Sequence, residues 1–132
     1  MSRLVCYTSD QVPHVWSQVR KHVKVALDRG SNYTLEQVYH ALCEADMQLW
    51  TSHKGYDIEA AVVTSIQTVK DVKGCLILTA GGNNSDDWLK FLPLMEEWAR
   101  EKGCQEMRIY GRIGWARKTG YDIKYTKMSK QL

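Results

Sequence analysis

The hydrophobic spacing of this chain changes at Met47, and that change limits what it can fold into more than any other feature. Before it, Val12, Val15, Trp16, Val19, Val23, Ala26 and Leu27 recur at intervals of three and four, with Gln18, Lys21, Lys24 and Asp28 on the other side. After it come Met47 to Ser52, Ile58 to Val69 and Val72 to Ala80, rich in β-branched and apolar residues without helical spacing. A chain of this kind has to lay helices on a sheet, so the class expected is α/β.

Punctuation sets the expected boundaries. Arg3 to Tyr7 reads as a short strand, closed by Thr8-Ser9-Asp10, which offers a helix N-cap with Pro13 in the first turn; Gly30 ends that helix. Thr34 with Gln37 three residues later is the capping-box pattern for a second helix, with Leu35, Val38, Tyr39 and Leu42 as its buried stripe. The next two strands join around His53-Lys54-Gly55-Tyr56 as a hairpin. Leu76-Ile77-Leu78 is an unbroken apolar run, expected of a strand covered on both faces and so central.

Gly81-Gly82-Asn83-Asn84-Ser85 is expected to end that strand. From Trp88 to Lys102, Leu92, Met95, Trp98 and Ala99 mark one helical face, and Gly103 stops it. Pro93 cannot donate a backbone hydrogen bond, so a separate turn over 85–91, or a kink, is expected there. Met107 to Tyr110 reads as a strand and Ile113 to Lys118 as a short helix. Tyr121, Ile123 and Tyr125 alternate with polar residues as a closing strand. The expected order is β-α-α-β-β-β-α-β-α-β.

With 132 residues and 44% apolar content, one domain over 1–132 is expected. No run is long enough for a membrane span and no signal-peptide core is present, so the expected location is the cytoplasm. Cys6, Cys43, Cys75 and Cys104 are widely spaced and read as small buried hydrophobes, with no metal site. His14, His22, His40 and His53 stand singly and read as surface or helix-face residues. The net charge of +3 implies no polyanionic partner by itself.

The element order resembles the GCN5-related N-acetyltransferase (GNAT) fold, an α/β domain with a mixed, mostly antiparallel sheet. Trp98-Ala99-Arg100-Glu101-Lys102-Gly103-Cys104, the strand Met107 to Tyr110, and Gly114-Trp115-Ala116-Arg117-Lys118-Thr119-Gly120-Tyr121 are similar to that family's helix, strand, short helix and closing Gly-aromatic. The stretch from Gly111 to Arg117 also resembles small GNAT-like proteins of tailed bacteriophages, which would imply host cytoplasm or a virion particle. The resemblance implies a sheet splayed after its fourth strand, with acetyl-CoA in the gap.

That family receives the pyrophosphate on a Gln/Arg-x-x-Gly-x-Gly/Ala loop leading into a helix N-terminus. The matching segment here is Thr79 to Asp87. Gly81, Gly82, Asn83 and Asn84 would supply backbone donors, but the leading Gln or Arg is absent and Asp86 and Asp87 stand where an anion would dock. Acids at the first helical positions stabilise a helix by roughly 0.3–1 kcal/mol each and occupy the same N–H groups. The family's tyrosine acid falls on Ala116, leaving Tyr110 and Tyr121 as weak substitutes and Glu59 as the candidate base.

The favoured expectation is therefore a degenerate, non-catalytic module without cofactor, whose partner is a protein or a second copy, with Trp50, Trp88 or Trp115 on the contact surface. The alternative is an acetyl-CoA-dependent N-acetyltransferase. A second alternative is single-stranded nucleic acid binding through Arg108, Arg112, Arg117, Lys118, Lys124, Lys127 and Lys130, interleaved with Tyr110, Trp115, Tyr121 and Tyr125.

Overall fold

The structure is a computed structural model that describes residues 2–28, 33–82 and 89–109. Strand β1 (Ser2–Tyr7) is followed by helices α1 (Val12–Asp28) and α2 (Leu35–Cys43). Strands β2 (Gln48–Lys54), β3 (Asp57–Val69) and β4 (Val72–Gly82) come next. A 3₁₀ turn (Leu89–Phe91) leads into helix α3 (Leu92–Glu101), and β5 (Glu106–Ile109) completes the described part. The five strands form one sheet in the order β1-β2-β3-β4-β5. Neighbours are antiparallel except β4 and β5, which are parallel, so the sheet is mixed and mostly antiparallel. The short helix and closing strand expected beyond Tyr110 lie outside the described residues, as does the divergence of β4 and β5 beyond Ile77 and Ile109.

Both faces of the sheet are covered. On one side Val12, Val19, Val23 and Leu27 of α1 and Val38 and Leu42 of α2 pack with Leu49, Ala61 and Val63. On the other, Leu92 and Met95 of α3 pack with Trp50, Ala60, Val62 and Ile77. The apolar run of β4 is consequently buried, with Cys75, Leu76 and Ile77 at most 4% exposed. Trp50 belongs to this core rather than to a contact surface. Its indole Nε1 donates to Thr64 Oγ1 at 3.0 Å, and its ring meets Trp98 edge-on at 5.1 Å. Trp88 and Trp115 lie outside the described residues.

The capping box forms as the sequence implies, with Gln37 N donating to Thr34 Oγ1 at 3.1 Å and Thr34 N to Gln37 Oε1 at 2.9 Å. α2 and α3 end alike. Asp46 N donates to Ala41 O at 2.9 Å and Ala45 N to Leu42 O at 3.3 Å; Cys104 N and Gly103 N repeat the pattern on Ala99 O and Arg100 O. The motif needs a left-handed residue, which Gly103 adopts freely at φ 85° and Ala45 adopts at φ 64° with a Cβ in the way. Ala45→Gly is expected to stabilise the fold by about 1 kcal/mol, read as a higher melting temperature.

Two expectations change at β4 and α3. Gly81 and Gly82 do not end the strand; they pair with Ala61 and Ala60 as its last residues, because β3 is long enough to satisfy their backbone groups. The α-helix begins only at Leu92, with Pro93 in its first turn, where a proline fits because its missing N–H would have no intrahelical partner. The separate turn that Pro93 implied is the 3₁₀ turn.

The cysteines divide. Cys75 is buried, Cys43 and Cys104 are half-buried and Cys6 is exposed on β1, so the buried-hydrophobe expectation fails for Cys6. Burial and the nearby Cys104 thiol push Cys75 up to about 12 against a hydrogen bond from Thr64, so it is a thiol at neutral pH. No helix among the described residues is long and apolar enough to cross a membrane.

Candidate functional site

Strand pairing brings several sequence candidates to one end of the sheet. β4 finishes at Gly82, which lies opposite Ala60 of β3, and Ala60 lies opposite Ser52 of β2. Between Ser52–Ala60 and His53–Ile58 the register slips by one, which makes Glu59 the extra residue of a β-bulge. Glu59 therefore sits half-buried beside the strand position that faces Gly82. Gly81, Gly82 and Glu59, far apart in sequence, share one end. Asn83, Asn84, Tyr110 and Tyr121 lie outside the described residues.

A second bulge lies further down β4. Val63 faces Thr79 while Thr64 faces Ile77, so Leu78 is the unpaired extra residue. Its main-chain groups are released from the β3 ladder one residue beyond Ile77, whose partner on β5 is Ile109, the last described residue. Leu78 precedes Gly82 by four residues, or about 13 Å at the usual strand rise of ~3.3 Å. A ligand lying along the end of β4 would thus meet released backbone at Leu78 and a pair of side-chain-free residues at Gly81 and Gly82. No sequence signal marks either bulge, because each depends on the relative lengths of two paired strands.

α3 begins close in sequence after β4. Phe91 occupies its N-cap position and makes no side-chain capping bond, and the first turn holds no acidic residue. Asp86 and Asp87 precede the 3₁₀ turn and are not first-turn residues of α3. Both lie outside the described residues. The 3₁₀ turn runs directly into the α3 terminus and Pro93 contributes no N–H to it, so the positive end of the helix dipole, rather than a row of free donors, is what α3 presents here.

On the α1/α2 face a polar cluster appears that sequence reading places on the surface. His53 is 8% exposed. Its Nε2 lies 2.6 Å from Thr51 Oγ1 and 3.4 Å from the Tyr7 hydroxyl, and Thr51 Oγ1 donates to Tyr7 at 3.0 Å. Burial, helped by the Arg3 charge, lowers the pKa of His53 and favours the neutral ring. His53 Nδ1 and the Ser52 hydroxyl are buried without a hydrogen-bond partner on either side of the Glu59 bulge. His22 is likewise buried, under α1, whereas His14 and His40 are exposed. Thr51 and His53 share a strand face by alternation, the one signal that could have joined them.

The basic stripe loses its first member. Arg108 is 4% exposed, with Nε on Glu106 Oε1 at 2.6 Å, Nη1 donating to Gln67 O at 3.0 Å and Nη2 to Val72 O at 2.7 Å. It braces β5 against the β3–β4 hairpin, and its burial keeps it from a phosphate partner outside. The other basic residues named lie outside the described residues. Among the described residues no group of three or more His, Cys, Asp or Glu could hold a metal ion.

A sheet of this order, mostly antiparallel with a parallel fifth strand and helices on both faces, matches solved acetyltransferases along nearly the whole length of the chain. The chain has the GNAT fold. An aminoglycoside antibiotic 6′-N-acetyltransferase from Acinetobacter haemolyticus superposes with a TM-score of 0.72 at 12% identity, covering 98% of this chain and 99% of that one. A GCN5-related N-acetyltransferase from Ralstonia eutropha gives 0.68 at 12% identity, covering 100% and 99%. A predicted acetyltransferase from Clostridium acetobutylicum, solved with acetyl-CoA, gives 0.66 at 11% identity over 98% and 96%. No family model and no curated protein sequence matches the chain. GNAT architecture is thus carried here by topology rather than by sequence.

Proposed function

We propose that this GNAT-fold chain is an acetyl-CoA-dependent N-acetyltransferase, the alternative of the sequence analysis, in preference to a degenerate interaction module. The observation that carries it is the GNAT topology shared with solved acetyltransferases, in which a glycine-ended β4 leads to an α3 with no acidic residue in its first turn. The non-catalytic expectation drew its support from carboxylates occupying that helix end, and α3 has none in its first turn. Gly81 and Gly82 would offer a diphosphate main chain unobstructed by side chains, and Leu78 would offer released backbone about 13 Å back along the strand for the acyl end; Pro93 removes one N–H from the start of α3, so the glycine main chain has the larger part in holding the phosphates.

Acetyl-CoA supplies an activated acetyl thioester when bound. The chain's own part is to bind and orient, because the acceptor amine is itself the nucleophile and no covalent enzyme intermediate is needed. Glu59, half-buried at the Gly82 end, lies too far along the strand from Leu78 to touch the reacting carbon. It serves to hold the cationic end of the acceptor. Tyr110 directly follows Ile109, the partner of Ile77, and is the proton donor to the leaving thiolate.

Release of free thiol from acetyl-CoA, measured against a panel of amines spanning an aminoglycoside, a linear polyamine and an N-terminal peptide amine, tests the proposal. Amine-dependent release above the hydrolytic background is expected for at least one class. Release that no amine accelerates, in a chain that binds the cofactor, would restore the non-catalytic module.

A further inference from the structure

We propose that the outer edge of β1 is a self-association surface, through which two copies join their sheets antiparallel about a two-fold axis at Val5. β1 is the outermost strand of the sheet, and among the described residues no strand pairs with its free edge. An exposed edge is normally blunted by proline, a bulge or several charges. β1 has none of these over Ser2–Tyr7. Its register with β2 runs unbroken from Ser2–Lys54 to Tyr7–Leu49, and Arg3 is its only charged residue.

The side chains point to a second copy of this chain as the occupant. Two strands related by a two-fold axis perpendicular to the sheet keep the same face up, so residues facing each other must have numbers of even sum. A sum of ten places Val5 opposite itself, Leu4 opposite Cys6 of the second copy, and Arg3 opposite Tyr7 of the second copy. Apolar groups then meet apolar groups on one face, and a guanidinium meets an aromatic ring on the other. A sum of eight would instead set Arg3 against Val5 and Ser2 against Cys6.

The flanking surface extends the contact. Cys6 is exposed, and it lies opposite Trp50, against which the half-buried Trp98 of α3 packs. These groups widen a five-residue strand pairing toward the area that a stable dimer requires. The contact lies at the edge opposite β4 and β5, so it leaves the proposed acetyl-CoA end untouched and is independent of it.

Light scattering on the eluting wild-type chain should return twice 15.2 kDa. Directly facing residues stand about 4.5–5.5 Å apart at Cα, within disulfide range. In a Cys6→Ser background, Val5→Cys is therefore expected to cross-link to a covalent dimer on mild oxidation, and Leu4→Cys is not. Val5→Lys, which sets two ammonium groups against each other, should return a folded monomer, with circular dichroism confirming the fold. A wild-type monomer at every concentration, or cross-linking through Leu4→Cys in place of Val5→Cys, would overturn the proposal.

Discussion

Replacing Arg108 by alanine is expected to destabilise the protein by about 3–5 kcal/mol, since it breaks a buried ion pair by removing one partner only. Two carbonyl bonds go with it, to Gln67 and Val72, so the β3–β4 hairpin loses its brace from β5. That hairpin is already costly, because its turn residues Lys70 and Asp71 hold left-handed conformations at φ 52° and 66°. Thermal denaturation should show a fall of roughly 10–15 °C for a domain of this size. Gly74 supplies a second arm of the same test. A Cβ there would stand 2.5 Å from the Arg108 guanidinium carbon, so Gly74→Ala should be strongly destabilising in the wild type. In the Arg108→Ala background it should cost little, and a coupling energy near zero between the two would contradict the brace.

Glu59→Gln is expected to raise the KM for a cationic acceptor by about 10- to 100-fold, the loss of one charge-assisted contact of ~1.5–3 kcal/mol. Its kcat should hardly change. Geometry decides this. Glu59 sits at the Gly82 end, four residues along β4 from the Leu78 bulge proposed to receive the acyl group. A general base acts in the transition state, and its removal would instead lower kcat by roughly 10²- to 10⁴-fold with KM little altered. Steady-state kinetics with one charged and one neutral acceptor separate the two roles. A collapse of kcat for both acceptors would return Glu59 to the base assigned to it on sequence grounds.

Local signals carried the helices. The three-and-four spacing from Val12 to Leu27, the Thr34–Gln37 capping box and the Gly103 stop each act within a few residues, and each appears as read. Signals that depend on partners misled. Gly81-Gly82 resembles a turn until Ala60 and Ala61 are known to lie alongside, and Arg108 resembles a phosphate ligand until Glu106 and two carbonyls close around it. His53 reads as solvated because nothing in sequence reveals that Tyr7, forty-six positions away, shares its pocket. The site itself was legible only as residues. Gly81, Gly82 and Glu59 were named from the sequence, whereas the two bulges that arrange them arise from strand lengths that no local motif encodes.

The central claim is that the end of β4 and the start of α3 form a berth for a nucleotide diphosphate, and thermal denaturation in the presence of acetyl-CoA tests it most directly. At a hundred times the dissociation constant, the cofactor should stabilise the fold by about 2.7 kcal/mol, with free coenzyme A giving a comparable upward shift because the phosphates carry the contact. An unchanged melting temperature at millimolar acetyl-CoA would contradict the account.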